Sequence, residues 1–249
     1  MRFAKGHGTA NDFVILPDLA GPVTPELARA LCDRRRGIGG DGVLRVARDG
    51  ERWFMDYRNS DGSLGETCGN GIRVFARYLV EEGLAAPGRI PIETRAGTVV
   101  AVVEDGTVSV DMGLPKVYGE SAATVAGQAY TGTAVDCGNP HLVCRVDAVE
   151  ALDALDLTRP PGYDPAFFPD GVNIEFYVPG PRMRVYERGS GETLSCGTGA
   201  CAVAIVVSGG NGTVGVDVPG GRLTVTFDGA TCWLAGPAVI VARGETVSY

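Results

Sequence analysis

The chain has 249 residues, of which 45% are hydrophobic and 21% charged, and its formal net charge is −8. This is the composition of an ordinary globular protein, so an intrinsically disordered or collagen-like chain is excluded. The acidic balance argues against a nucleic-acid partner, because such proteins need a basic face to neutralise phosphates.

Neither export nor membrane insertion is indicated by the sequence. The N-terminus becomes polar at once and lacks an apolar core of signal-peptide length. The longest unbroken apolar run, residues 200–207, is too short to cross a bilayer. We therefore expect a soluble, cytoplasmic protein with no membrane partner.

The seven cysteines do not form the dense framework of a small secreted domain, and their number is odd. The sequence contains neither a C-x-x-C nor an H-x-x-x-H motif. We therefore expect no metal site.

Many short strands and three helices make up the predicted secondary structure. In chain order, the pattern predicts a helix at 25–34, strands at 43–46 and 53–57, a helix at 70–82, strands at 90–94, 99–103, 108–112, 132–136, 142–146 and 173–178, a helix at 197–208, and strands at 214–218, 223–227, 231–234 and 239–242. Because most strands follow one another without an intervening helix, the pattern argues against a doubly wound parallel sheet.

The helix predicted at 197–208 is hydrophobic on every side from Ala200 to Val207. Such a helix is expected to be buried all round, as it would be inside a sheet wrapped around it. The predicted fold class is therefore α+β, with each half of the chain forming a β-sheet or barrel around one central helix.

An internal repeat at an offset of 128 residues supports a division into two similar halves. Cys68-Gly69-Asn70-Gly71 falls on Cys196-Gly197-Thr198-Gly199, while Asn11 falls on Asn139 and Asn59 on Glu187. A further match, of 41–43 with 170–172, occurs at an offset of 129. We expect two pseudo-symmetric domains, 1–115 and 116–239, with a site where they meet.

The repeated C-G-x-G motif suggests acid–base chemistry by two thiols. At a helix N-terminus, unpaired N–H groups and the helix dipole bind an anion such as a carboxylate. The same groups are expected to lower the pKa of the Cys68 and Cys196 thiols. Two thiols facing one substrate suit racemisation or epimerisation beside a carboxylate, since one removes a proton and the other returns one.

The lysine content favours a reaction without a cofactor. Many amino-acid racemases use pyridoxal phosphate, which needs a Schiff-base lysine. Only Lys5 and Lys116 are lysines among the 22 basic residues, and neither lies in a convincing phosphate-binding loop.

Six sequence blocks in a fixed order carry a family resemblance: 6–13, 59–63, 66–71, 138–141, 172–173 and 186–199. They resemble the diaminopimelate epimerases over essentially the full length of the chain. The resemblance implies the two-domain fold of that family, with 240–249 returning to the first domain, and a homodimer. It also implies interconversion of LL- and meso-2,6-diaminopimelate, without a cofactor, in the synthesis of lysine and peptidoglycan precursors.

Residue roles also follow from the resemblance. Cys68 and Cys196 would be the acid–base thiols, with His141 and Glu187 supporting catalysis. Backbone N–H groups around the reacting carboxylate would come from Gly69, Asn70, Gly197 and Thr198. The side chains implied to line the substrate pocket are Asn11, Asn59, Asn139, Asn173, Glu187 and Arg188. Here Arg188 suits a carboxylate and Glu187 an ammonium group. The chain departs from the family at Gly42, where many members carry Gln.

Three other readings of the sequence compete with this one. The spacing of Gly37, Gly39 and Gly42 matches the dinucleotide fingerprint, but the helix precedes it and the strand follows, which is the wrong order. A proline or hydroxyproline racemase or dehydratase would leave Asn59, Asn173 and Arg188 without a second carboxylate to bind. A relative of the phenazine-enzyme type would lack the cysteine pair.

Overall fold

The computed structural model describes residues 1–17, 19–65 and 68–247, and the chain divides into two compact units. The first, here the N-terminal unit, comprises Met1–Asp111 and Gly236–Tyr249. The second, the C-terminal unit, comprises Met112–Ala235. No helix in the described ranges is long and apolar enough to span a membrane.

The N-terminal unit is a mixed sheet with two helices. Its elements are β1 (Arg2–Gly8), β2 (Asn11–Leu16), α1 (Pro25–Cys32), β3 (Gly42–Asp49), β4 (Arg52–Asn59), α2 (Gly69–Glu81), β5 (Gly88–Thr94), β6 (Gly97–Glu104), β7 (Thr107–Asp111) and β17 (Val239–Glu245). Strand β1 pairs antiparallel with both β2 and β17, whereas β2 is parallel to β3. Helix α2 packs against β1, β2, β3, β6, β7 and β17, so it lies at the centre of the unit.

The C-terminal unit repeats this plan. Its elements are β8 (Lys116–Val125), β9 (Gln128–Asp136), β10 (Pro140–Arg145), α3 (Val149–Asp153), β11 (Asn173–Val178), β12 (Arg182–Glu187), β13 (Gly191–Thr193), α4 (Gly197–Ser208), β14 (Gly212–Val218), β15 (Gly221–Phe227) and β16 (Cys232–Gly236). Strand β10 is parallel to β11, and α4 packs against β9, β10, β11, β14 and β15. The predicted α+β class, with a sheet around a central helix, is confirmed.

The expected all-round burial of α4 is wrong for its last turn. The helix is buried from Gly199 through Ala204, but Val207 is 44% exposed just before Gly209 ends the helix in a left-handed conformation. The sequence of a hydrophobic helix does not reveal where its covering strands end.

The sequence pattern does not predict several of the observed strands, among them the two strands of the β1–β2 hairpin. Its two-residue turn is Thr9-Ala10, with φ of 50° and 64°. Turns of this type prefer Asn-Gly, and a β-branched residue at positive φ is strained. The turn is held by Arg73, which is fully buried on α2 and donates from Nη2 to Thr9 Oγ1 at 3.2 Å. Asn11 follows directly, so this turn fixes its position.

Strand register shows which residues of the two units occupy equivalent places. Phe13 on β2 is paired with Gly42 on β3, and His141 on β10 is paired with Asn173 on β11. Phe13 and His141 are 128 residues apart, but Gly42 and Asn173 are 131 apart. The sequence match of 41–43 with 170–172 is therefore wrong as a structural equivalence, because the loops before β3 and β11 differ in length.

Candidate active site

Cys68 caps the N-terminus of α2. Its Sγ accepts a hydrogen bond from the Gly71 N–H at 3.4 Å and donates to Asn11 Oδ1 at 3.6 Å. Asn70 Nδ2 donates to the same Asn11 oxygen at 3.2 Å. The N-terminal unit thus brings Cys68, Asn11 and Asn70 together, with Gly69 as the first helical residue.

The orientation of the Asn11 amide is set by Asp41. Asn11 Nδ2 donates to Asp41 Oδ2 at 2.8 Å, and Arg34 donates to the other carboxylate oxygen at 2.8 Å. Since an ionised carboxylate only accepts hydrogen bonds, the amide nitrogen must face Asp41 and the amide oxygen must face Cys68. Asp41 is not among the site residues predicted from the sequence, although it directly precedes Gly42.

Asn59 on β4 pairs with Gly42 on β3, and its side chain has hydrogen-bond partners of its own. Its Oδ1 accepts from the Tyr57 hydroxyl at 2.6 Å, and its Nδ2 donates to Ser63 Oγ at 2.9 Å. The Tyr57 ring fills the space beside Gly42, where an added Cβ would lie 2.6 Å from Tyr57 Cε2 and 2.7 Å from the Arg58 carbonyl oxygen. A glutamine at position 42 therefore does not fit while Tyr57 is in place.

Substituting Gly42 by alanine should destabilise the protein by about 1–3 kcal/mol, because the new methyl group overlaps a ring and a backbone carbonyl. Urea denaturation measures the effect. The control is Gly162→Ala, where the nearest atom would lie at 3.5 Å, an ordinary contact distance. Equal stabilities of the two variants would contradict the close packing of Tyr57 on Gly42.

Cys196 occupies the matching place at the N-terminus of α4. Its Sγ accepts from the Gly199 N–H and lies 3.5 Å from Thr198 Oγ1, and Gly197 is the first helical residue. Glu187, at the end of β12, is hydrogen-bonded to Cys196 and accepts from the Thr193 hydroxyl. Burial raises the pKa of Glu187.

The expected lowering of the thiol pKa is wrong for Cys196. Burial raises the pKa of this thiol well above its ordinary value, and the nearby carboxylates of Glu187 and Glu175 add to the rise. The hydrogen bonds from Thr198 and from the Gly199 N–H act in the opposite direction but are outweighed. Cys196 is therefore in the thiol form at neutral pH in the ligand-free protein.

His141 and Asn139 form a second cluster in the C-terminal unit. His141 Nδ1 lies 2.7 Å from Glu175 Oε1, and its Nε2 lies 2.9 Å from Asn139 Oδ1. Both His141 and Glu175 are completely buried. Glu175 is not among the site residues predicted from the sequence. Its one sequence signal is that it is a charged residue within the strand segment 173–178.

The Asn173 side chain is hydrogen-bonded to the backbone of Arg188. Asn173 Nδ2 donates to the Pro140 carbonyl at 3.1 Å, and its Oδ1 accepts from the Arg188 N–H at 2.9 Å. The Arg188 side chain is exposed and donates from Nη1 to the Asp170 carbonyl at 2.9 Å. Asn173 thus fixes the place where Arg188 leaves β12.

Within the described residues, no group of three or more His, Cys, Asp or Glu side chains is arranged to hold a metal ion. In each unit, a cysteine caps the N-terminus of the central helix, and amide and carboxyl side chains lie around it.

Solved structures with this fold include several isomerase-related proteins. A protein described as a predicted epimerase from Pseudomonas aeruginosa aligns with a TM-score of 0.76 at 15% identity, covering 100% of this chain and 99% of the other. A phenazine biosynthesis protein of the PhzF family from Bacillus anthracis aligns with a TM-score of 0.74 at 17% identity, with 100% and 99% covered. At such identities these likenesses show the fold alone.

The family follows from sequence comparison. The family model for diaminopimelate epimerase matches residues 3–118 and 133–247. Proteins named diaminopimelate epimerase from Rhodococcus erythropolis and Thermobifida fusca are 50% and 48% identical, each over 98% of this chain and over 95% and 97% of their own lengths. The chain belongs to the diaminopimelate epimerase family, which confirms the resemblance seen in its six sequence blocks.

Proposed function

We propose that this protein interconverts LL- and meso-2,6-diaminopimelate without a cofactor, in the synthesis of lysine and peptidoglycan precursors. The proposal is supported above all by the two cysteines, each of which caps the N-terminus of a central helix and accepts a backbone N–H there. Diaminopimelate as the substrate is supported by the relatives named diaminopimelate epimerase, whose similarity covers 98% of this chain.

The reaction needs one thiolate and one thiol on opposite faces of the substrate α-carbon. The thiolate takes the α-proton, and the opposite thiol delivers its own proton to the carbanion, so the two sulfurs exchange protonation states in each turnover. The raised pKa of Cys196 supports it as the thiol in the resting protein. Glu187, hydrogen-bonded to Cys196, would take up or return the proton of that sulfur and so support catalysis.

The carbanion intermediate must be stabilised without an electron-withdrawing cofactor. Backbone N–H groups in the first turns of α2 and α4 would hold the reacting carboxylate, from Gly69 and Asn70 and from Gly197 and Thr198. Each set is aligned with a helix dipole whose positive end faces the developing negative charge.

We assign recognition of the non-reacting end of the substrate to polar side chains. Arg188 would bind the distal carboxylate, with Asn173 holding its backbone in place. The other side chains proposed to line the pocket are Asn11, Asn59, Asn139 and Glu187. We further propose that the chain is organised as two domains, 1–115 with 240–249 and 116–239, and that the enzyme works in the cytoplasm as a homodimer.

The proposed mechanism predicts exchange of the substrate α-proton with solvent. When the purified protein acts on LL-diaminopimelate in heavy water without added cofactor, the meso product should carry deuterium at one α-carbon, because thiol protons exchange rapidly with water. Mass spectrometry and proton NMR measure the label.

Proline assayed side by side is the matched control, since it offers one carboxylate and no distal amino-acid group. Turnover of proline in preference to diaminopimelate would contradict the proposed substrate. Meso product without deuterium would contradict proton abstraction by a thiolate.

A further inference from the structure

The C-terminal unit buries an ionisable pair directly beneath the first turn of α4. His141 and Glu175 are both 0% exposed. An added Cβ on Gly199 would lie 2.6 Å from Glu175 Oε1, so the carboxylate reaches this place only because residue 199 is a glycine. Glu175 Oε2 is buried and has no hydrogen-bond partner among the residues that the structure describes.

The fold itself does not require polar groups at these two positions. The equivalent residues of the N-terminal unit are Phe13 and Leu44, since β2 and β3 pair in the same register as β10 and β11. Phe13 and Leu44 are completely buried against Gly71, at 3.5 and 3.6 Å from the place of its missing Cβ, just as Glu175 lies against Gly199. An apolar pair therefore fills the same place in one unit and an ionisable pair in the other.

An ionisable pair is seldom the more stable choice for a buried position. Well-packed apolar residues of similar volume usually stabilise a protein as well or better, because both charges lose their hydration. Buried titratable groups beside a reactive thiol are typical of functional sites. The difference between the units therefore points to a role for His141 and Glu175 in the chemistry of the C-terminal unit.

The hydrogen bonds determine the charge of His141. A carboxylate oxygen faces its Nδ1 and an amide oxygen faces its Nε2, and both are acceptors. With the Asn139 amide in this orientation, both ring nitrogens donate, which makes the ring an imidazolium with Glu175 as its counter-ion. The hydrogen bond from His141 Nε2–H to Asn139 Oδ1 fixes the amide oxygen, so that the amide nitrogen is available to another partner.

We propose that Glu175 is a positioning residue that keeps His141 as an imidazolium, and that His141 thereby orients the Asn139 amide with its nitrogen available to a substrate carboxylate. This inference rests on the proposed function, in which Asn139 lines the substrate pocket. Asn139 also borders a cavity of about 360 Å³ together with Lys116, Tyr118, Asp136, Gly138 and Pro140, so its side chain is next to accessible space.

Other titratable groups near the pair do not replace Glu175 as the counter-ion. Glu187 on β12, Cys196 on α4, Cys137 before β10 and Cys144 on β10 all interact electrostatically with Glu175. Burial raises the pKa of each of them. Glu175 is the carboxyl group in hydrogen-bond contact with the ring, since its Oε1 lies 2.7 Å from His141 Nδ1.

The charge assignment is tested by nitrogen NMR of the histidine rings in the ligand-free protein at pH 7. The chain contains two histidines, His7 and His141, so the signals are readily assigned. We expect both ring nitrogens of His141 to be protonated in the wild type and only one in Glu175→Gln, because glutamine cannot act as a counter-ion. Glu120→Gln, on the exposed face of β8, is the control and should leave the His141 signals unchanged.

The functional consequence is tested by kinetics with LL-diaminopimelate. We expect Glu175→Gln to raise KM about 10-fold with a smaller change in kcat, because a charge-assisted hydrogen bond is lost.

The double variant His141→Phe/Glu175→Leu copies the apolar pair of the N-terminal unit and separates positioning from folding. Circular dichroism should show a folded protein, and KM should be at least as high as in Glu175→Gln. A neutral His141 in the wild type, or a wild-type KM in Glu175→Gln, would overturn the proposal. If the wild type does not turn over diaminopimelate, the proposed function fails, while the NMR result still decides the charge of His141.

Discussion

Alanine at Cys68 or at Cys196 is expected to abolish epimerisation, lowering kcat by at least about 10²–10⁴-fold, the usual contribution of one general acid or base. Each variant loses one of the two groups that must be present on opposite faces of the α-carbon. Conversion of LL-diaminopimelate to the meso isomer, followed by chiral chromatography, measures the loss.

Partial reactions make this prediction more specific. A variant with one thiol left can still remove a proton from one face and return it to the same face, so slow deuterium exchange without inversion is expected. The control is Cys32→Ala, a buried cysteine at the end of α1 that takes no part in the proposed site, and it should retain activity. Near wild-type turnover in either single active-site variant would contradict the two-base mechanism.

Arg188→Ala is expected to raise KM by about 10- to 100-fold, corresponding to about 1.5–3 kcal/mol for a hydrogen bond to a charged group. The guanidinium is exposed and held by the Asp170 carbonyl, while its backbone N–H is fixed by Asn173. It is therefore placed to form a bidentate pair with a carboxylate. The change in kcat should be smaller, because the distal carboxylate takes no part in proton transfer.

Two further variants give this prediction its controls. Arg188→Lys keeps the charge but loses the planar fork, so its KM should lie between those of wild type and alanine variant. Arg182→Ala removes an exposed arginine at the other end of β12, one that pairs with Asp153 at 2.6 Å, and should leave KM unchanged. An Arg188→Ala protein with the wild-type KM would exclude this residue from substrate binding.

The helices that carry the two thiols could be predicted from local sequence. The predicted span 197–208 agrees with α4, and 70–82 differs from α2 by one residue at each end. A cysteine followed by glycines and then by an apolar run marks a helix start, and this signal lies within a few residues. The hairpin turn that precedes Asn11 could not be predicted from local sequence, because its residues, Thr9 and Ala10, rarely adopt positive φ.

Sequence by itself determined the family, the α+β class and the two cysteines at matching helix N-termini, since each of these lies in short motifs and their spacing. Only the tertiary structure decided the charge environment. The pKa of Cys196 rises because the helix end is buried and because strands bring Glu187 and Glu175 near it. In the same way, it is the folded structure that places the Tyr57 ring beside Gly42. Burial and contacts between distant segments set these properties, and no local pattern in the chain encodes them.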